Sequence, residues 1–518
     1  GRGTFLDRHG EELIKQNYSL VIFPNMNEQE WPLQKVAQFT GISEKSLLEI
    51  LSDKKTPVSF PIDQSDAEEI NDLNIPGLYA IQEKQHNNTF AQHVIGFTGQ
   101  NQAELKNRYP DLLEKGVVKK TTKIGLSGLE KAFDPFLISN GEAKLNYHVD
   151  NFGRPLFGLD VKYVAPANPF YPLKVRTTID KGMQKIVEQA IDDAQINHGG
   201  AVLLDVDSSD VLALVSRPTF DFSNPFETGA ANEMTNSHIP GSVFKTVVAA
   251  AAIDTGLVDQ HRTFDCDKDV YGEGMSNRRL GQLTFSQSFA ESCNRTFAQL
   301  GNELIREDSN VMERYADMLS LKEKVGWTGD VYHFEHFGQI PNEEQNSIWK
   351  DAYRGEKAVA QTAIGQLNVR LTPLSVANMM TTIARGGEKK QVRLVDELLY
   401  KQGSSVIRFP EQTIPGETLD QSTVKQLQQL LRQVVAKPEG TGFLRGLNHL
   451  PYEVAGKSGT AQKNKKREVN QWFAGFFPFD HPRYALVVVD LDANGSDRVY
   501  EAYKTIVNNL YQYDSANG

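Results

Sequence analysis

The stretch from Ile239 to Asp254, "IPGSVFKTVVAAAAID", limits the possible folds more than any other part of the chain. After its Pro-Gly pair, almost every residue except Ser242, Lys245 and Thr246 is apolar. A helix that is apolar all round has to be enclosed. At about half the roughly 18 residues of a membrane span, it belongs in the core of a sizeable domain. It carries a lysine into that core, three residues after a serine at or near the helix N-terminus. Positions i and i+3 lie side by side on a helix, about 5–6 Å apart at Cβ, which puts the amine next to the hydroxyl. Burial favours a neutral amine, and a neutral amine beside a hydroxyl can take its proton and leave a nucleophilic alkoxide. The helix N-terminus then offers backbone N–H groups to an oxyanion. A plainer reading uses the same residues: Ser242 caps the helix and Lys245 reaches to solvent.

Spacing alone does not choose between these readings, because Ser-x-x-Lys recurs at Ser52, Ser347 and Ser422. Only Ser242 has a glycine before it and an apolar helix after it. Two further stretches decide. "SFAESCNRTF" holds Ser292-Cys293-Asn294, and "VAGKSGTAQ" holds Lys457-Ser458-Gly459-Thr460. Each has an ordinary explanation, a helix-turn packing motif for the first and a solvated strand end for the second, and Ser515-Ala516-Asn517 repeats the Ser-x-Asn spacing at the tail. Ser-x-x-Lys, Ser-x-Asn and Lys-Ser/Thr-Gly in that order are, however, the set tied to β-lactamases and penicillin-binding proteins.

A chain of 518 residues is expected to form two or more domains. Three prolines in "APANPFYPLK" (165–174) mark a boundary, dividing residues 1–165 from 166–518. Before it, Ala37 to Leu51 reads as a helix started by Ser43, and Ala91 to Gly99 as a strand and turn. Beyond it, "KVRTTID" reads as a strand, and Lys181 to Ala194 as a helix burying Met183, Ile186, Val187, Ala190 and Ile191. A hairpin follows around Asp207 to Asp210, and more strands near the end flank a basic turn at residues 463–467. This order predicts an α+β fold whose antiparallel sheet is flanked by helices.

The net charge of -11 excludes the basic face that nucleic acid requires. Cys266 and Cys293 make neither a disulfide framework nor a zinc site, and Cys293 is read as a small apolar residue. His333 and His336 are read as ordinary histidines rather than metal ligands. The chain opens at Gly1 without a methionine and is expected to be a fragment whose signal or anchor lies outside it.

With these motifs in place, the chain resembles a class B penicillin-binding protein, a monofunctional D,D-transpeptidase of cell-wall peptidoglycan cross-linking. "RGTFLDRHG", "FAQHVIGFTG" and "GLSGLEKAFDPFL" are similar to motifs of that family's N-terminal part, and "TTIDKGMQ" and "GGAVLLDVDSSDVLALVSRPTFD" to the entrance of its transpeptidase domain. "AIGQLNVRLTPLSVANMMTTIARGG" matches its Gly-Gln-Gly region except at Leu367, where the usual glycine is absent. The resemblance implies an elongated non-catalytic pedestal, of dimerisation type, followed by a penicillin-binding transpeptidase domain. It implies Ser242 as nucleophile toward the penultimate D-alanine carbonyl and Lys245 as its general base. Ser292 would relay a proton to the leaving amine, and Asn294 would hold Lys245 and the substrate amide. Lys457 would supply positive charge, Ser458 and Thr460 would bind the terminal carboxylate, and Gly459 would keep the strand edge clear. The oxyanion hole would be the N–H groups of Ser242 and Thr460. No cofactor or metal is implied.

The expected partners are stem peptides ending in D-Ala-D-Ala, β-lactams, a membrane glycan polymerase and other cell-wall synthesis proteins. The expected place is the extracytoplasmic face of the bacterial plasma membrane, reached through an N-terminal anchor. The alternatives are a D,D-carboxypeptidase, in which water replaces the acceptor amine, and a non-catalytic β-lactam-binding scaffold or sensor. A β-lactamase would also need a base to activate water. The Glu-x-x-Leu-Asn spacing of such a loop occurs at Glu142 to Asn146 but precedes Ser242, and is read as coincidence.

Overall fold

The computed structural model describes residues 3–15, 17–24, 26, 30–53, 56–83, 88–138, 144–146, 162–164, 173–349, 354–400, 402–463 and 468–518. The expected boundary at 165/166, Glu142 and residues 464–467 of the basic turn lie outside the described residues.

Short, largely apolar runs in the second half build a five-stranded antiparallel sheet. Its order is Val211–Arg217, Gly199–Asp205, Tyr484–Asp490, Val469–Phe477 and Ala455–Gln462. Val211–Arg217 and Tyr484–Asp490 are buried at every position, which requires cover on both faces of the sheet. Helices Lys181–Asp193 and Arg498–Asn517 pack on each other and on the sheet, and Pro373–Ala384 packs on it as well. The helix from Lys181 starts where Asp180 Oδ1 accepts the Met183 N–H (3.0 Å). It buries Met183, Val187, Ala190 and Ile191, with Ile186 half-buried beside them, as the 3.6-residue period predicts. Helix Lys245–Asp254 lies among helices Asn294–Glu307, Val311–Met318 and Gln421–Ala436. Lys245 to Ala252 are all buried, so the uniformly apolar run is enclosed.

In the first half, strands Val58–Ile62, Tyr18–Ile22 and Leu78–Gln82 form an antiparallel sheet with its own apolar cluster. Two sequence expectations need correction there. The single helix expected over Ala37 to Leu51 is two, Leu33–Thr40 and Glu44–Asp53. Gly41 (φ 70°) ends the first, and Ser43 Oγ accepts the Ser46 N–H (3.2 Å) at the start of the second. The strand expected over Ala91 to Gly99 is mostly a short helix, Gln92–Ile95, followed by the two-residue strand Thr98–Gly99. Long-range bonds account for the change. Gln92 exchanges two hydrogen bonds with the Phe220 backbone (2.6 and 3.0 Å), and His93 Nε2 bonds Gly229 O (2.7 Å). His333 and His336 lie exposed at the hairpin Thr328–Val331/Phe334–Gly338.

Candidate active site

The turn that carries Ser242 is built on close approach. Gly241 has φ +62°, and a Cβ there would stand 2.4 Å from Thr460 O; a Cβ on Gly459 would stand 2.5 Å from Pro240 O. Neither position accepts a side chain without moving backbone, so the two glycines let the Lys457–Thr460 strand lie directly against the serine turn. The packing of that turn is thus one reason for the glycine at 459. Trp472 Nε1, on the next strand, donates to Ile239 O (3.2 Å) and ties the turn to the sheet. Gly241–Phe244 is a 3-10 turn that runs into the α-helix at Lys245.

The second motif is a junction between helices. Phe285–Glu291 begins with a capping box between Thr284 and Gln287 and ends at Ser292, a non-glycine residue in the left-handed region (φ 57°). Cys293 then precedes helix Asn294–Glu307 and is disulfide-bonded to Cys266, a pairing that two isolated cysteines do not announce in a sequence. The reversal turns Ser292 and Asn294 toward Lys245. Lys245 Nζ donates to Ser292 O (2.9 Å) and Asn294 Oδ1 (2.7 Å) and lies 2.9 Å from Ser292 Oγ. Lys457 Nζ reaches the same Ser292 Oγ (3.0 Å) and donates to Ser458 O (3.0 Å). One hydroxyl therefore bridges two amines, both completely buried.

That arrangement opposes charge on both amines. Burial drives Lys245 well below the usual lysine range, and the charges of Lys457 and Arg278 push it further. Burial, with help from Arg278, brings Lys457 down to about 7. A neutral amine offers a lone pair to the Ser292 hydroxyl, whose own oxygen accepts from the other amine. The three groups can thus hand a proton along without solvent.

All eight residues singled out in the sequence lie in or beside this cluster, with one difference from expectation. The i, i+3 spacing does not produce a Ser242–Lys245 hydrogen bond; among the described residues Ser242 Oγ has no partner, and the long lysine side chain reaches across to the helix junction instead. Catalytic hydrogen bonds in unliganded sites commonly tighten only when substrate arrives. Ser458 Oγ lies 2.9 Å from Thr441 Oγ1, and Thr460 faces solvent. Sequence reasoning missed Arg278, whose Nη2 donates to Glu291 O (2.7 Å) beside the cluster, and Thr441. Neither sits in a motif, and only the folded chain brings them near.

The model of the penicillin binding protein transpeptidase domain matches residues 199–512, and that of the penicillin-binding protein dimerisation domain matches residues 1–168. The chain is similar to stage V sporulation protein D of Bacillus subtilis, 25% identical over 527 residues that cover 94% of this chain and 73% of the relative. It is 24% identical to the peptidoglycan D,D-transpeptidase FtsI of Escherichia coli, over 82% of this chain and 65% of the relative. Against penicillin-binding protein PbpB of Mycolicibacterium smegmatis it is 26% identical, over 72% of this chain and 58% of the relative. The chain thus spans under two thirds of the length of the last two. A solved chain from "Structural coordination of polymerization and crosslinking by a peptidoglycan synthase complex" shares the fold, with a TM-score of 0.66 and 23% identity over 99% of this chain and 90% of that one.

Proposed function

The chain belongs to the penicillin-binding protein transpeptidase family, and from that premise we propose that it is a serine D,D-transpeptidase that cross-links peptidoglycan stem peptides through an acyl-enzyme on Ser242. The observation that carries the assignment of roles is the Ser292 hydroxyl between two buried amines, 2.9 Å from Lys245 and 3.0 Å from Lys457. Lys245, held neutral by burial, takes the Ser242 proton as Oγ bonds to the carbonyl carbon of the penultimate D-alanine. The Ser242 and Thr460 N–H groups stabilise the oxyanion. When the C–N bond breaks, the leaving D-alanine nitrogen collects a proton through Ser292 Oγ, which Lys245 replaces. An acceptor amine then attacks the ester, loses its proton to the same relay and returns Ser242 to its hydroxyl form. Asn294 holds Lys245, and Ser458 and Thr460 receive the terminal carboxylate. That carboxylate raises the affinity of Lys457 for a proton, so a ligand brings its own counter-charge into being.

We assign the same acylation to β-lactams, whose strained amide occupies the peptide position. The membrane glycan polymerase partner and the extracytoplasmic face of the plasma membrane, reached by an N-terminal anchor, complete the proposal. Among the described residues, no helix is long and apolar enough to cross a membrane.

Incubation with a fluorescent penicillin, followed by intact mass, tests the assignment. One stable adduct on the parent chain and none on Ser242→Ala is expected. Adduct formation that survives the substitution, or its absence from the parent, would refute it.

A further inference from the structure

Among the described residues the strand Ala455–Gln462 ends the sheet and pairs only with Val469–Phe477, so its outer side presents backbone groups to whatever lies beside it. The side-chain amide of Gln366 already lies there. Gln366 Nε2 donates to Thr460 O (2.8 Å), and Gln366 Oε1 accepts the Gln462 N–H (3.3 Å). A carbonyl and an N–H two residues apart are the pair that one residue of a parallel neighbouring strand would satisfy. The glutamine amide therefore stands in for one residue of a neighbouring strand on this edge.

Its backbone is anchored by bonds of its own, separate from the two its side chain makes to the strand. Gly365 O accepts the Gly241 N–H (3.0 Å), and Gln366 N donates to Gln361 O (3.0 Å). Gly365 has φ +76°, and a Cβ on it would stand 1.9 Å from Gly241 O, so the loop is fitted directly onto the nucleophile turn. Thr460 and Gln462 are solvent-exposed and Gln366 is only half-buried, so the amide can leave the edge toward solvent by giving up those two bonds. Leu367, 45% exposed, stands next to it at the position where the resembling family has glycine.

We infer that Gln366 is a specificity-determining residue: it holds the sheet edge until a ligand brings an amide N–H of its own to Thr460 O. This rests on the transpeptidase reading. An acylamino ligand replaces the bond to Thr460 O with its own N–H, and a peptide ligand can replace both bonds that Gln366 gives up. A ligand without such an amide seats with the glutamine still in place.

The test compares second-order acylation rate constants for benzylpenicillin and for 6-aminopenicillanic acid, which has an amine where the other has an amide. Removing the competing bonds in Gln366→Ala should raise the ratio of the two constants about 3- to 10-fold, the size of one or two net hydrogen bonds. Gln366→Glu, which cannot donate to Thr460 O, should move it the same way. An unchanged or lowered ratio in both variants overturns the proposal. Amide hydrogen exchange of the 455–463 segment without ligand gives a reading independent of acylation. Faster exchange in Gln366→Ala is expected, and unchanged exchange overturns the proposal. If neither compound acylates the parent chain, the transpeptidase reading fails and exchange alone decides the role of Gln366.

Discussion

Ser292 Oγ lies 2.9 Å from Lys245 Nζ and 3.0 Å from Lys457 Nζ, and both amines are shut off from solvent. Such a site works against stability. Folded Lys457 gives up its proton near pH 7, whereas the unfolded residue holds it to near 10.5. Between those values the unfolded state binds more protons, so stability rises with pH, and the penalty is greatest below about pH 7. Lys457→Met should therefore stabilise the protein by about 1–3 kcal/mol at neutral pH. This is the ionisation penalty of several kcal/mol less the loss of a donor to Ser292 and Ser458. The advantage should shrink by about 1.4 kcal/mol per unit as pH climbs and reverse before 10.5, where only the lost donor counts, and acylation of the variant should collapse at every pH. Denaturant melts across pH check the first point and penicillin labelling the second. The three motifs were legible at this scale because each is a short local pattern. That Lys245 bonds Ser292 and Asn294 rather than Ser242 was not, since the partner sits 47 residues away.

At the scale of elements, the second motif depends on two helices meeting at a left-handed Ser292, with Cys293 tied to Cys266 across 27 residues. A cross-link of that span limits the unfolded chain by roughly 3–4 kcal/mol in the chain-entropy description. Replacing both cysteines by serine should lower stability by about that amount, measured by urea unfolding against the parent under oxidising conditions. Helix Lys181–Asp193 could be read from its period because its apolar face repeats within a few turns. The short helix Gln92–Ile95 could not, because its side chains are fixed by Phe220 and Gly229, more than a hundred residues on.

Across the whole molecule, the first strand does not stay with the first half. Thr4–Leu6 pairs in parallel with Leu173–Thr177, Arg8 N donates to Ile179 O (2.8 Å), and Lys181 N donates to Asp7 Oδ2 (3.1 Å). Phe5 joins the main apolar core, and Leu6 is buried as well. Deleting residues 1–10 should remove roughly 3–6 kcal/mol of burial and lower the melting temperature of the remainder, as calorimetry would detect; an unchanged melt would show that this strand contributes nothing. The chain order of the motifs, the buried lysine helix and the α+β pattern were determined by the sequence alone, because periodicity, turn chemistry and motif spacing act over a few neighbouring residues. The bridging hydroxyl, the disulfide, Arg278 beside the two amines and Gln366 on the sheet edge were decided only by tertiary structure. Each depends on distances between segments far apart in the chain, and those distances exist only once the apolar surfaces have packed.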